Sequence, residues 1–118
     1  MSDHKIDYCE TNYKSVAAST RDVSTGVTIP NNEKIAVSRV WLNGADPDAY
    51  VFLIWDDGGG AEKIILSSKG DVDHSYDLTN ADIQFTGNGT KKMQLVIDNN
   101  DTNATPVIGG GFELTVIP

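Results

Sequence analysis

Hydrophobic and polar residues alternate along several short stretches of the chain, which is typical of strands with one buried face. In the last third, Lys91 to Asp98 and Gly111 to Ile117 place an apolar residue at every second position. Side chains of a strand point alternately to opposite faces of a sheet, so one face of each segment is predicted to be buried. The predicted core positions are Met93, Leu95, Ile97, Phe112, Leu114 and Val116.

Two segments near the middle of the chain lack this alternation. Lys34 to Leu42 has large side chains at both alternating sets of positions, and Tyr50 to Trp55 is a continuous apolar run. Strands covered on both faces lose the polar alternation, so both segments are predicted to be central. No stretch shows helical spacing, and clusters of Gly, Pro and Asn recur at strand-plus-turn intervals. We therefore predict an all-β, single-domain antiparallel β-sandwich, jelly-roll-like, with about eight to ten strands.

The N-terminal region has the weakest pattern. Ser15 to Ser24 is rich in Ser, Thr and Ala, which fits an edge strand or an N-terminal arm equally well. We divide the chain accordingly into residues 1–25, an arm or edge strand, and residues 26–118, the sandwich domain. An arm that ties subunits together is a common oligomerisation device. The residues predicted to bind a partner are Lys5, Tyr8, Tyr13 and Lys14.

Charge and cysteine content exclude several classes of protein. Seventeen acidic residues against nine basic ones give a net charge of -8, which disfavours nucleic-acid binding. Cys9 is the only cysteine, so no intrachain disulfide is possible. The longest apolar run is too short to cross a bilayer, and the N-terminus has no signal-peptide pattern. We therefore expect a protein made in a cytoplasm with no membrane partner.

Carboxylates offer the strongest candidate chemistry in the chain. Paired carboxylates lie next to Gly, Pro or Asn in predicted turns, where Asp hydrogen-bonds its own backbone; the pairs are Asp46/Asp48, Asp56/Asp57, Asp71/Asp73 and Asp98/Asp101. The densest oxygen-donor tract runs from Asp98 to Asn103, which makes Asp98 and Asp101 the candidate calcium ligands, although the EF-hand pattern is missing. His4 and His74 are the only histidines. We predict no cofactor and no enzymatic activity.

Aromatic residues divide into two groups. Those inside apolar strands are predicted to be core residues rather than a sugar-stacking surface; they are Trp41, Tyr50, Phe52, Trp55, Phe85 and Phe112. Tyr8, Tyr13 and Tyr76 have more polar neighbours and are the better candidates for an exposed platform.

Two segments carry a resemblance to a known class of proteins. They are Gly26 to Val37, with GVTIP followed by KIAV, and Phe85 to Asp101, FTGNGTKKMQLVIDNND. Together they resemble the small β-sandwich and jelly-roll proteins of tailed-bacteriophage virions, which include capsid decoration (cement) proteins and short fibre proteins. The resemblance implies a non-enzymatic virion protein that binds the major capsid protein as an oligomer, with a homotrimer favoured, and stabilises the head lattice. The alternative is a carbohydrate- or receptor-binding β-sandwich module, with or without bound calcium.

Overall fold

The protein is built of strands and loops throughout the part of the chain that the structure describes. The computed structural model describes residues 7–43, 47–56, 62–70 and 73–118. No helix in these ranges is long and apolar enough to cross a membrane. The ten strands are β1 Tyr8–Ser15, β2 Thr20–Val23, β3 Val27–Thr28, β4 Lys34–Asn43, β5 Ala49–Asp56, β6 Glu62–Lys69, β7 Asp73–Asp77, β8 Gln84–Thr86, β9 Lys92–Asn99 and β10 Val107–Ile117.

The strands form two antiparallel sheets that pack as a sandwich. Sheet A has the order β1-β10-β4-β7, with β8 also paired to β4, and sheet B has the order β2-β9-β5-β6, with β3 also paired to β9. The pairings are nested: β5 pairs with β6, β4 with β7, β2 with β9 and β1 with β10. Nested antiparallel pairs that are distributed over two packed sheets form the jelly-roll arrangement. The predicted fold class and the central positions of β4 and β5 are confirmed.

The core lies between the inner faces of the two sheets. Most of the alternating positions predicted from the sequence are fully buried there, and Val116 is partly buried at its margin. Each large apolar side chain that leaves water contributes roughly 1.5–3 kcal/mol to the folded state. The largest fully buried side chains include Ile35, Leu42, Leu53, Met93, Leu95, Ile97, Phe112 and Leu114.

The N-terminal region supplies one edge strand to each sheet. All eight residues of β1 pair with β10, from Tyr8 opposite Leu114 to Ser15 opposite Val107. β2 then pairs with β9 at the edge of sheet B, and Val16 between the two strands is buried. Both Tyr8–Ser15 and Thr20–Val23 are edge strands in this structure.

The last strand is longer than predicted. The sequence predicts a strand that starts at Gly111, whereas β10 begins at Val107 and includes Gly109, Gly110 and Gly111. A Cβ atom at any of these three glycines would lie less than 3.0 Å from atoms of neighbouring strands. The glycines therefore make room for close packing inside a regular strand.

Candidate functional site

The outer face of sheet A carries an aromatic pair above the glycines of β10. Tyr13 of β1, Gly109 of β10, Asn43 of β4 and Asp73 of β7 stand opposite one another in one row across the sheet. The neighbouring row consists of Thr11, Gly111, Trp41 and Ser75. Because these positions alternate with the core residues of their strands, all of them belong to the face that points away from the core.

The two aromatic rings lie directly against the glycine backbone. A Cβ atom at Gly109 would lie 2.8 Å from Cδ1 of Tyr13, and one at Gly111 would lie 2.3 Å from Cζ2 of Trp41. Both glycines are buried although they belong to the outer face, while Tyr13 is 48% exposed. We call Tyr13 and Trp41, with Gly109 and Gly111 beneath them, the aromatic platform.

Hydrogen bonds and charge tie the platform to its surroundings. Partial burial, followed by the nearby Asp73 carboxylate, raises the pKa of Tyr13 above its ordinary value, and the neighbouring Trp41 side chain opposes this shift. The Asn43 side-chain amide donates to the carboxylate of Asp73. At neutral pH the platform therefore presents an uncharged phenol beside an amide and a carboxylate.

The outer face of sheet B carries apolar side chains where polar ones are expected. Val23, Val96 and Phe52 stand next to one another across β2, β9 and β5, and Ile54 faces Ile64 in the adjoining row. Val96 and Ile54 are at most 1% exposed although neither belongs to the core cluster, while Val23 is 47% and Ile64 58% exposed. We call these five residues the apolar face.

Polar and aromatic side chains surround the apolar face. The Tyr50 ring stacks nearly parallel to Phe52 with 5.8 Å between centroids, and Nζ of Lys69 lies 5.4 Å from the centre of the Tyr50 ring. The guanidinium of Arg21 lies 3.1 Å from a carboxylate oxygen of Glu62. The exposed apolar residues Val23 and Ile64 lie on the outer strands β2 and β6, on either side of the covered residues Val96 and Ile54.

The residues predicted to bind a partner do not lie on one surface. Tyr8 stands opposite the core residue Leu114 and its hydroxyl donates to the carboxylate of Glu33. Lys14 lies on the same side of β1, with Nζ 2.9 Å from Oδ1 of Asp22. Tyr13 points to the outer face and belongs to the aromatic platform, and Lys5 lies outside the described residues.

The candidate calcium ligands have structural partners. Oδ1 of Asp101 accepts hydrogen bonds from the backbone N–H groups of Asn103, at 2.8 Å, and Ala104, at 2.9 Å, which closes the loop before β10. Oδ1 of Asp98 lies 4.0 Å from Nε of Arg21. Within residues 7–43, 47–56, 62–70 and 73–118, no three His, Cys, Asp or Glu side chains are grouped so that they could hold a metal ion.

A polar cleft lies between β1 and β2, where the edges of the two sheets meet. Its volume is about 240 Å³, and its lining includes Glu10, Asn12, Lys14, Asp22 and Ser24. Glu10 links the sheets, because its carboxylate accepts hydrogen bonds from the Ser24 hydroxyl and from the backbone N–H of Gly26. Buried atoms Nδ2 of Asn12 and Oδ2 of Asp22 have no hydrogen-bond partner in the described part of the chain.

Comparison with known proteins assigns no family to the chain. No protein-family model and no curated protein matches it. Among solved structures it is similar to the Yersinia pseudotuberculosis-derived mitogen, at 14% identity and a TM-score of 0.36, over 84% of this chain and 87% of that one. A likeness at this level carries no information about ligand or activity.

The sequence patterns identified some of the residues on the outer faces of the two sheets and missed others. They selected Tyr13 as exposed but assigned Trp41 to the core, and this assignment is wrong because Trp41 lies on the outer face of sheet A. Alternation supplies the missing signal, since Trp41 stands between the buried residues Val40 and Leu42. Val23 and Ile64 were not selected, because their exposure depends on which strands become neighbours.

Proposed function

We propose that the protein is a non-enzymatic structural protein of a tailed-bacteriophage virion, a capsid decoration protein that binds the head lattice as a homotrimer and stabilises it. The observation that carries this proposal is the apolar face of sheet B. A sheet face left in water normally carries polar side chains at alternate positions. Val23 and Ile64 instead remain about half exposed, so contact with another protein surface would remove apolar area from water.

Fold and charge support the same class of function. Jelly rolls are frequent in viral capsid proteins, although they also occur in lectins and the fold alone does not decide function. The net charge of -8 favours docking on a basic protein surface and keeps the protein away from packaged nucleic acid. The partners in this proposal are other copies of the chain and the major capsid protein.

The decisive experiment looks for the protein in virions. Particles purified on a density gradient from a culture of the source strain, after phage induction or infection, are analysed by mass spectrometry and by immunogold labelling. The proposal predicts that the protein co-purifies with the major capsid protein and labels the heads. A protein that is abundant in the lysate but absent from the particles would refute it.

A matched pair of variants tests the apolar face in the same assay. Recombinant Ile64→Asp and Val107→Asp each place a charge on an exposed side chain, 58% and 60% exposed respectively, so both are expected to fold. Ile64 belongs to the apolar face of sheet B, whereas Val107 lies in β10 of sheet A. We expect Ile64→Asp to lose attachment to particles and Val107→Asp to retain it.

A further inference from the structure

We propose that the aromatic platform, Tyr13 and Trp41 above Gly109 and Gly111, is a binding site for neutral saccharides. The platform lies on sheet A, away from the apolar face of sheet B, so it is independent of the proposed structural role. It develops the carbohydrate-binding alternative that the sequence leaves open into a particular site and ligand class.

The rings offer the kind of surface that a sugar ring needs. Each lies against the glycine backbone of β10, while Tyr13 is 48% exposed and Trp41 is partly exposed. A pyranose presents a face of C–H groups that packs on an aromatic face in the same way as other apolar groups. Positions 109 and 111 are two residues apart on β10, or about 7 Å at the usual strand rise, so the two rings offer adjacent places for a short oligosaccharide.

Polar groups surround the platform where sugar hydroxyls need partners. Asn43 and Asp73 follow Gly109 in the row of Tyr13, and Ser75 follows Trp41 in the adjoining row. Asp73 and Ser75 are exposed. Carboxylate, amide and hydroxyl groups together donate to and accept from hydroxyl groups. The rim therefore matches a polyol better than it matches a purely apolar ligand.

Rigidity favours binding on an open face. Both rings rest on the backbone of β10, a strand that is paired on both sides, with β1 and with β4. A surface that is already ordered loses little conformational entropy when a ligand binds. Such preorganisation allows two rings and a few hydrogen bonds to hold a ligand without a deep pocket.

Charge selects neutral sugars over other ligands that stack on aromatic rings. Nucleobases also stack on Tyr and Trp, but their phosphates would approach the carboxylate of Asp73 on a chain of net charge -8. The same repulsion acts on sialylated and sulfated sugars. Neutral hexoses have the stacking face and the hydroxyl groups without the charge.

The experiment uses the full chain on an array of neutral, sialylated and sulfated glycans, followed by titration of the best neutral glycan with tryptophan fluorescence as the readout. A single-stranded oligonucleotide is titrated in parallel. We expect binding to neutral glycans and a change in emission from Trp41, because the other tryptophan, Trp55, is only 7% exposed and stacks on Phe85. No binding to any neutral glycan, or tighter binding to the oligonucleotide, would overturn the proposal.

Variants locate the site. Tyr13→Ala removes a ring that is already 48% exposed and is expected to weaken binding about tenfold, whereas Tyr13→Phe keeps the ring and most of the affinity. Trp41→Phe is expected to abolish the fluorescence response while glycan binding persists on the array. Tyr50→Ala, which removes an aromatic ring from the outer face of sheet B, is the control and should bind as the unmodified protein does.

One result with Tyr13→Ala would contradict the proposal. If Tyr13→Ala binds glycan with unchanged affinity while its circular dichroism is native, the platform is not the site. Because these assays use isolated protein, loss of glycan binding and absence from virions are separate results, and either can occur without the other.

Discussion

Asn99 is a fully buried polar side chain whose hydrogen bonds hold two loops together. Its amide nitrogen donates to the carbonyl oxygens of Val16 at 3.0 Å and Ala104 at 2.9 Å, and its oxygen accepts from the backbone N–H of Asp101 at 3.1 Å. The first bond ties the connection between β1 and β2 to β9, and the others order the loop before β10. One residue thus fixes the place where the N-terminal strands join the sandwich.

Replacing Asn99 with a side chain of similar size tests this role. Asn99→Leu leaves the carbonyl groups of Val16 and Ala104 without their donor inside the protein, so we expect the free energy of unfolding to fall by about 2–4 kcal/mol. Urea denaturation followed by circular dichroism measures the loss. Asn100→Leu, at the exposed neighbouring position, is the control and should change stability by less than about 0.5 kcal/mol. Equal losses in the two variants would contradict the role given to Asn99.

Tyr8 makes stability depend on pH in alkaline solution. Its hydrogen bond to Glu33, with smaller contributions from burial and from the charge of Glu33, raises its pKa above the ordinary value of 10.0. A group whose pKa is higher in the folded state stabilises the protein fully below its unfolded pKa, and this stabilisation is lost as the pH rises through the folded pKa. The relevant window therefore begins near pH 10 and extends upward.

The prediction concerns the difference between the unmodified protein and Tyr8→Phe. We expect the variant to be less stable at pH 8, and we expect the difference to shrink as the pH rises above about 10. Urea denaturation at several pH values gives both quantities, with Tyr50→Phe as the control for loss of a tyrosine hydroxyl. A stability difference that does not change with pH would show that the bond to Glu33 is not responsible.

At the scale of the strand, the glycines of β10 allow β1 and β4 to pack closely on both of its sides. A Cβ atom at Gly109 would lie 2.0 Å from the backbone oxygen of Asn12 in β1, and one at Gly111 would lie 2.8 Å from the backbone oxygen of Glu10. Backbone cannot move aside as a flexible side chain can. Adding a methyl group at either position should push β1 away from β10.

Gly109→Ala and Gly111→Ala test this packing. We expect each to cost about 1–3 kcal/mol, as overpacking of a close contact usually does, and to increase hydrogen exchange at the β1 amides. Gly70→Ala is the control: its positive φ of 93° strains the backbone, by about 1 kcal/mol, but no atom lies within 4 Å of the added carbon. Exchange in β1 that increases equally in all three variants would contradict the explanation.

The strands that the sequence predicted well are those with apolar inner positions. β4, β5 and β9 carry apolar residues at their inward positions and were placed within about two residues of their observed ends. β1 turns Tyr8, Glu10, Asn12 and Lys14 toward the other sheet, so its pattern is mostly polar and was read as parts of two strands. β2 has the sequence TRDV and owes its strand form to pairing with β9, which no local pattern reveals.

The aromatic platform could not be predicted from the sequence for a similar reason. The sequence indicates that Tyr13 is exposed, but Tyr13 and Trp41 are 28 positions apart and meet only because β1 and β4 both pair with β10. The last strand was predicted to begin at Gly111, so Gly109 and Gly110 were not assigned to it. Long-range register therefore decides which residues share a surface, and register is what single-sequence patterns define least.

At the scale of the whole molecule, the two outer faces have different chemical characters. Sheet A presents aromatic rings among hydroxyl, amide and carboxylate groups, and sheet B presents aliphatic side chains within a charged rim. Glu10 joins the sheets at the edge where β1 and β2 meet. In our proposal, sheet B contacts protein and sheet A remains available to small ligands.

Light scattering coupled to size-exclusion chromatography is the most direct test that the apolar face of sheet B binds protein. The account predicts a mass about three times the 12.7 kDa of one chain, a shift of Ile64→Asp to the mass of the monomer, and an unchanged mass for Val107→Asp. A monomer at every concentration, with Ile64→Asp indistinguishable from the unmodified protein, would contradict it.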